Sequence, residues 1–465
     1  MNFTELQQHK NIYFIGIGGI SMSGLAMFLL HDGFNVKGSD ATKTSITTAM
    51  ENSGIKINYK QVSENIDDSI DLVVYSAAIH DDNEEMMKAK SLGIKAIKRS
   101  ELLGAIMSRY KYRINVAGMH GKSTTTSMIS KLVDDANLKP TISIGAVSKD
   151  LNSHYKIGEK EYFVAEACEY TNSFFDFCPN IEVITNIEEE HLDFFKDIND
   201  IRHSFKVFIE IMDENGILVI NTNIDNINEL TKDYKGKIYT YGFDNADFHV
   251  ENLTHEGITY TYDIYLKDKL LGNIKLNLIG IHNVENSISA IAVAYLLGID
   301  FDTIKKSICD FKGTERRLEN RGIYNGITVI DDYAHHPQEI KASLNALKEI
   351  TTNRLFLIYQ PHTYSRTKKL FDDFVDVFKE QKDLIFIPVY PAREKNIYNI
   401  ESSDISNDLN NKYNINSIFI DSFEKATKYI IDNAKSGDIV VTMGAGDIYK
   451  ITDQICSVLA NSVDK

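Results

Sequence analysis

Cysteine is scarce: Cys168, Cys178, Cys309 and Cys456 are the only four in 465 residues, and no two stand in a CxxC pair. That spacing argues against a zinc ribbon and offers no disulfide framework, so a reduced cytosolic setting is expected. Basic blocks are missing as well, with 50 Lys and Arg against 66 Asp and Glu and a net charge of −16. Such a balance disfavours nucleic acid and anionic membranes as partners and leaves local basic residues to serve small anionic ligands. No apolar run approaches a membrane span. The polar-rich stretch Asn2 to Asn11 lacks the basic-then-apolar order of a signal peptide. Internal repeats and low-complexity tracts are also absent. The expectation is a soluble cytoplasmic protein long enough for about three domains, each with its own core.

What is present is concentrated in Gly118-Met119-His120-Gly121-Lys122-Ser123-Thr124-Thr125-Thr126. Tyr112 to Ala117 before it reads as a strand, and Ser123 to Leu132 after it carries Met128, Ile129 and Leu132 at helical spacing. In a strand, tight turn and helix of this kind, the glycines let backbone N–H groups approach an anion and the helix dipole favours it. Lys122 adds a mobile positive charge, and Ser123 can reach a magnesium ion. A nucleoside triphosphate is the natural guest. The usual spacing places a further glycine where Val116 stands, so the phosphate loop is a shortened one.

Three blocks follow from the alternation of strands and helices. In the first, residues 1–109, the strand Asn11 to Ile15 runs into Gly16-Ile17-Gly18-Gly19-Ile20-Ser21 and a helix; a second strand near Asn35 to Gly38 precedes Asp40, and another spans Asp71 to Ser76. That is half a Rossmann-type unit. The second block, residues 110–320, holds the phosphate loop, strands at Tyr162 to Ala165 and Ile181 to Thr185, an alternating stretch from Phe248 to Leu278 suited to antiparallel strands, and a helix Asn283 to Leu297. The third, residues 321–465, alternates strands from Ile327, Arg354, Leu384, Ile418 and Ile439 with helices. The fold class is therefore α/β in three domains: Rossmann-like, P-loop-type with added antiparallel strands, and a second Rossmann-like sheet.

Gly16 and Gly18 match the dinucleotide fingerprint, Ser21 holds its third glycine position, and Asp40 stands where a ribose-binding acid could. Alone, this motif admits NAD or UDP equally, because the glycines suit any pyrophosphate. In the second block Glu166 ends one strand, and Asn186-Ile187-Glu188-Glu189-Glu190-His191 follows another. Strand ends of an α/β sheet carry the ligand. Glu166 is a candidate oxygen ligand for magnesium; His191 is either a second-ion ligand or a hydrogen-bonded loop histidine.

With GIGGISMSG, AGMHGKSTTT, AEACEY, TNIEEEH, GIHNVENS, GTERRLE, DDYAHHP, YQPHTYSRT and MGAGDI in this order, the chain resembles the Mur ligase family over nearly all of its length. The resemblance implies an ATP- and magnesium-dependent ligase joining L-alanine to the lactyl carboxylate of UDP-N-acetylmuramate, a step of peptidoglycan precursor synthesis. A ligase that recycles a muramyl-peptide shares most of the motifs. It implies that Gly16, Gly18, Gly19, Ile20 and Ser21 bind the diphosphate, with Asp40 and Ser76 near the uridine. Gly118, His120, Gly121, Lys122, Ser123 and Thr124 are assigned to ATP phosphates, Asn283 and Asn286 to the adenine side, and Arg317 and Asp332 to ATP. Ser123, Glu166 and His191 fall to the metal, while Tyr333, His335, His336 and Arg366 lie in motifs closing over ATP and the amino acid. Lys122, Glu166, His191, His335 and Arg366 are the catalytic candidates. A monomer or weak dimer is expected, with no nucleic-acid or membrane partner.

Some positions depart from the family pattern. Ser123 replaces threonine and keeps the hydroxyl. AEACEY replaces AEADES, so Glu166 carries over more firmly than Glu169. Thr363 stands where some members have arginine, which weakens a two-arginine clamp, and Asn283 is equally readable as a helix N-cap. Lys206 is read as a helix-surface lysine.

Overall fold

The computed structural model describes residues 1–191, 194–392 and 394–461. It contains three α/β sheets, and by compactness the chain divides into two units. The first comprises Met1–Thr254, Thr261–Leu276 and His282–Lys312, and the second His255–Tyr260, Asn277–Ile281 and Gly313–Lys465.

The first unit carries two of the sheets. The N-terminal one is wholly parallel, in the order Lys56–Asn58, Asn35–Ser39, Asn11–Ile15, Leu72–Tyr75, Lys95–Lys98. Strand order reverses beside Asn11–Ile15, so the crevice of this sheet opens at Gly16 and Ser76, where an open α/β sheet takes its ligand. Helices Ile20–His31 and Arg99–Met107 cover one face, burying Leu25, Phe28, Leu29, Leu102, Leu103 and Ile106 against Ile12, Phe14, Leu72 and Val74. Each buried side chain of this size removes about 1.5–3 kcal/mol worth of apolar surface from water.

In the central sheet Tyr112–Ala117 lies between Tyr162–Glu166 and Ile181–Ile184, all parallel. Ile217–Asn221 and Lys237–Tyr241 extend it in parallel, and Phe248–Glu256, Thr259–Leu266 and Lys269–Leu276 complete that end. The alternating stretch read in the sequence is this last trio. Cross-strand pairs such as Asn252 with Asp263 and Thr254 with Thr261 run in opposite residue order, as in a hairpin. An additional hairpin, Thr141–Ser148 with Ser153–Lys156, closes the other edge. It had no clear signal in the sequence, because Gly145 and a register shift interrupt its alternation.

The hairpin also meets the N-terminal sheet's helix. A Cβ on Gly24 would stand 3.2 Å from Tyr155 Cβ, and Tyr155 packs edge-on to Phe28. A Cβ on Gly104 would overlap the carbonyl oxygen of Asp176. Both glycines permit a close approach of helix to neighbour that alanine would obstruct. At the same seam, buried His154 places Nε2 2.9 Å from Ser23 Oγ. Ser23 Oγ also lies 2.8 Å from Ile20 O. Burial pulls the His154 pKa down to about 4.

In the second unit the sheet order is Glu319–Tyr324, Ile327–Asp332, Ile439–Met443, Leu355–Tyr359, Asp383–Phe386, Ile418–Phe419. Only the first pair is antiparallel. A division at 320/321 would fall inside the strand Glu319–Tyr324. The turn before that strand is built by Arg316 and Leu318 at positive φ, 58° and 43°, a conformation with no signature in the residue types.

The depressed His154 pKa sets an expectation for acid stability. Unfolded, the ring takes up a proton near its ordinary value of about 6.5; folded, it does so only near 4. Between those values the unfolded chain binds more protons, so stability falls as pH drops from about 6.5 to about 4. Thermal melting at about pH 7.5 and pH 5 should show a smaller acid loss for His154→Gln than for the native chain. Equal losses would place the acid sensitivity elsewhere.

Candidate active site

The N-terminal crevice is built from backbone. Gly16 adopts φ +80° and, with Ile17, donates its N–H to Ser39 O at 2.8 and 2.9 Å. Gly18 N donates to Asp40 Oδ2 at 2.9 Å, and a Cβ on Gly18 would fall 2.9 Å from the same oxygen. Gly19 precedes the helix Ile20–His31, with Ile20 exposed at its start. Ser76 Oγ faces Gly16, 3.9 Å from where a Cβ would stand. Gly16, Gly18, Gly19, Ile20, Ser21, Asp40 and Ser76 thus share one sheet edge. Asp40 also accepts from Thr42 N at 3.1 Å, so its carboxylate holds the turn's shape. Ser21 Oγ accepts from Arg99 Nη1 at 2.8 Å.

At the centre of the same unit, Gly118 (φ +133°) and Gly121 (φ +82°) bend the phosphate loop into the helix Lys122–Asp135. Thr185 and Asn186, just past the neighbouring strand, pin that loop by its backbone. Thr185 Oγ1 donates to His120 O at 2.7 Å, Asn186 Nδ2 donates to the same oxygen at 3.0 Å, and Asn186 Oδ1 accepts from His120 N at 2.9 Å. The His120 ring lies 3.7 Å from Glu188 and 4.0 Å from Glu190. Asn286, on the helix His282–Leu296, closes the other side: a Cβ on Gly121 would stand 2.6 Å from its Oδ1. Asn286 Nδ2 donates to Asn283 Oδ1 at 3.0 Å. The helix begins at His282, so Asn283 sits inside its first turn rather than at the cap. Ser123 and Thr124 are buried in the first turn of theirs.

Lys122 Nζ donates to Gly118 O, to Met119 O at 3.1 Å, and to both carboxylate oxygens of Glu169 at 3.0 and 3.2 Å. Glu169 is fully buried. The same carboxylate lies 3.3 Å from His191 Nε2, and His191 sits against the Tyr170 ring at 4.7 Å. Burial opposes all three charges most strongly. Even so, mutual attraction carries Lys122 and His191 above their ordinary pKa values and holds Glu169 below the usual carboxylate value. Glu166 has a different neighbour, accepting from Gly145 N at 2.6 Å. Of the acids in AEACEY, the one that joins the phosphate loop to His191 is therefore Glu169. It was the weaker reading from sequence, because only the fold shows which acid points at the lysine.

In the second unit Asp331 and Asp332 end the strand Ile327–Asp332 and are buried. Burial, only partly offset by Arg316, pushes Asp331 up to about 7. Asp332 Oδ1 accepts from Leu318 N at 3.4 Å. Arg317 lies over the Tyr333 ring at 5.2 Å and 3.7 Å from Glu339. His335 Nδ1 is 3.1 Å from Tyr333 O and 3.2 Å from Glu339, with the ring held below its ordinary pKa by burial. His336 takes a structural part, since its Nδ1 accepts from Gln338 N at 3.4 Å and caps the helix Pro337–Ile350. Arg366 Nη1 stands 3.4 Å from His362 Nδ1. His362 stacks on Tyr390 at 5.6 Å, meets His335 at 6.0 Å, and is depressed to about 4 by burial, by His335 and by Arg366. The sequence reading quoted His362 only within its motif. Thr363, beside it, has φ +66° and caps the helix bearing Arg366.

Family models cover each block: "Mur ligase family, catalytic domain" over residues 11–111, "Mur ligase middle domain" over 116–294, and "Mur ligase, glutamate ligase domain" over 316–446. Among similar proteins is the UDP-N-acetylmuramate–L-alanine ligase of Lachnospira eligens, 45% identical over 96% of this chain and 97% of its own length. The protein of the same name from Agathobacter rectalis is 46% identical over 96% and 97%. The crystal structure of a UDP-N-acetylmuramate-alanine ligase from Thermotoga maritima matches with a TM-score of 0.83 and 26% identity, across 98% of this chain and 100% of that one. A phosphate loop with a carboxylate-held lysine and matches to all three family models across the chain have one reading: this chain belongs to the Mur ligase family.

Proposed function

We infer that the protein is an ATP-dependent ligase that joins L-alanine to the lactyl carboxylate of UDP-N-acetylmuramate. The observation that carries the reading is the nearly end-to-end similarity to relatives named for that reaction. The phosphate-loop geometry supports it. Its substrates and its four free cysteines suit the cytoplasm.

The chemistry follows from what a carboxylate lacks. It will not accept an amine at neutral pH, because oxide would have to leave; phosphorylation by ATP gives an acyl phosphate with a good leaving group. Lys122 would offset the negative charge of the transferring phosphoryl group, and the backbone N–H groups after Gly118 and Gly121 would orient it. To do so Lys122 must exchange at least one of its present partners for a phosphate oxygen, since Gly118 O, Met119 O and Glu169 take all three of its donors. The amine of alanine then attacks the acyl carbon, and the tetrahedral intermediate collapses to amide and phosphate.

For magnesium, the oxygen donors Ser123 and Glu166 suit a hard cation. Among the described residues no three His, Cys, Asp or Glu side chains converge on a metal position. The donor set therefore fits an ion that keeps ATP phosphates and water among its ligands rather than one held by protein alone. When bound, such an ion supplies charge neutralisation on the phosphates. His191 would support the site through Glu169, which it contacts at 3.3 Å. Alanine's carboxylate is assigned to Arg366, whose planar fork suits it.

Mass spectrometry of products from UDP-N-acetylmuramate, ATP and a mixture of amino acids and peptides tests the reaction. The expected product is the alanyl amide, with glycine a poorer substrate because one methyl is worth only about 1–3 kcal/mol. Incorporation of a tripeptide instead would make this a recycling ligase.

Lys122→Ala should lower kcat about a hundredfold or more while UDP-N-acetylmuramate binding by calorimetry survives. Because the change leaves Glu169 buried without its cation, Lys122→Ala with Glu169→Ala should recover thermal stability without recovering turnover. Recovery of turnover would remove Lys122 from the chemistry.

Arg366→Lys should raise the KM for alanine well above any change for ATP or the UDP-sugar, since lysine keeps the charge and loses the fork. A selective rise for ATP would move Arg366 to the nucleotide.

A further inference from the structure

Arg99 has no role in any of the motifs, yet its position is specific. It opens the helix Arg99–Met107 immediately after the strand Lys95–Lys98, and its Nη1 donates to Ser21 Oγ at 2.8 Å. Ser21 lies in the first turn of the helix that follows Gly16–Gly19. The residue is half-buried. No carboxylate among the described residues pairs with it.

The turn itself brings little positive charge to a diphosphate. Gly16 N and Ile17 N are committed to Ser39 O, and Gly18 N to the Asp40 carboxylate. That leaves the start of a helix, whose dipole is worth a fraction of one charge, and a negative side chain already at the turn. A full positive charge there would strengthen the hold on a substrate carrying two phosphates. An arginine without an acidic partner, tethered by one hydroxyl and with the rest of its fork available, supplies it.

We propose that Arg99 binds the diphosphate of the nucleotide sugar, with Ser21 holding its guanidinium in place before the substrate arrives. The inference rests on the reading of the Gly16–Ser21 turn as the nucleotide-sugar site. Lysine at this position would keep the charge and lose the second prong, so Arg99→Lys should fall between the native residue and Arg99→Gln.

Titration calorimetry with UDP and saturation-transfer NMR with uridine, on the full chain, test it. Arg99→Gln should weaken UDP about 10- to 100-fold, the range of a charge-assisted hydrogen bond to a phosphate, and raise the KM for the UDP-sugar similarly. Uridine binding and the KM values for ATP and alanine should stay within about twofold. Ser21→Ala should produce a smaller loss in the same direction. UDP affinity unchanged in Arg99→Gln overturns the proposal, and so does an equal loss for uridine, which would mean a damaged fold. If the native chain binds neither UDP nor uridine, the site reading fails together with the proposal; if it binds both and only the Arg99 effect is missing, the proposal alone fails.

Discussion

One carboxylate sets the terms for the central site. Glu169 is fully buried and neutralises Lys122 while touching His191. An isolated charge in such a place would cost several kcal/mol, and removing one partner of a buried pair typically costs about 3–5 kcal/mol. The loop around it is organised to make that burial tolerable. Lys122 adds carbonyls from its own turn, and Thr185 and Asn186 fix the backbone that presents those carbonyls. The lysine is thus kept charged, dry and pointed into its own loop. On the proposed role it must release at least one of these partners when a phosphoryl group arrives, and Glu169 keeps it charged until then.

The sheets explain why the functional side chains collect where they do. In the N-terminal sheet the reversal of strand order puts Gly16 and Ser76 at one crevice. In the central sheet Gly118, Glu166 and Thr185 stand at the carboxyl ends of three adjacent parallel strands. In the second unit Asp331, Asp332, Gln360 and Gly444 occupy the same edge of adjacent strands. At the carboxyl edge of parallel strands the connections to the helices diverge and leave a crevice, and the loops that line it are placed by a rigid scaffold. Strain is admitted at the same edge. Thr363, a β-branched residue at φ +66°, is held by its N–H to Tyr390 O and by the helix it caps; a conformation of that kind persists only where its surroundings over-determine it.

The sequence showed these sites to differing degrees. Glycine turns and apolar strands are local signals, so Asn11–Ile15 and Tyr112–Ala117 were legible to the residue, and the phosphate loop with them. Partners distant in sequence were not. Arg99 reaches Ser21 across 78 residues and His154 reaches Ser23 across 131; nothing near Arg99 or His154 distinguishes either from an ordinary basic residue. Glu169 and Glu166 are three apart, and only the folded chain shows that Glu169 meets Lys122 while Glu166 accepts from Gly145 N. His336 shows a second role that local sequence does reveal. Standing in a motif that the family resemblance assigns to the substrate, it caps a helix in the folded chain, and the local pattern His336-Pro337-Gln338-Glu339 carries that capping role openly: proline at the first helical position and an acid at the third.

The charge balance of the chain gives these pinned cations their significance. A protein with net charge −16 repels polyanions at long range, and that repulsion is screened beyond about 10 Å in ordinary salt. Binding of anionic substrates therefore has to come from single cations at short range, each desolvated enough to matter. Lys122 is held by Glu169, Arg99 by Ser21, and Arg366 by the neutral ring of His362. The last two partners carry no charge of their own, so the guanidinium keeps its full attraction for an incoming phosphate or carboxylate. Holding it in place beforehand removes part of the side-chain entropy that binding would otherwise cost, about 0.5–1.5 kcal/mol for each ordered side chain. On the proposed roles, Arg99 and Arg366 would meet their anionic ligands already anchored and not neutralised, while Lys122, paired with Glu169, would act on charge that develops during reaction.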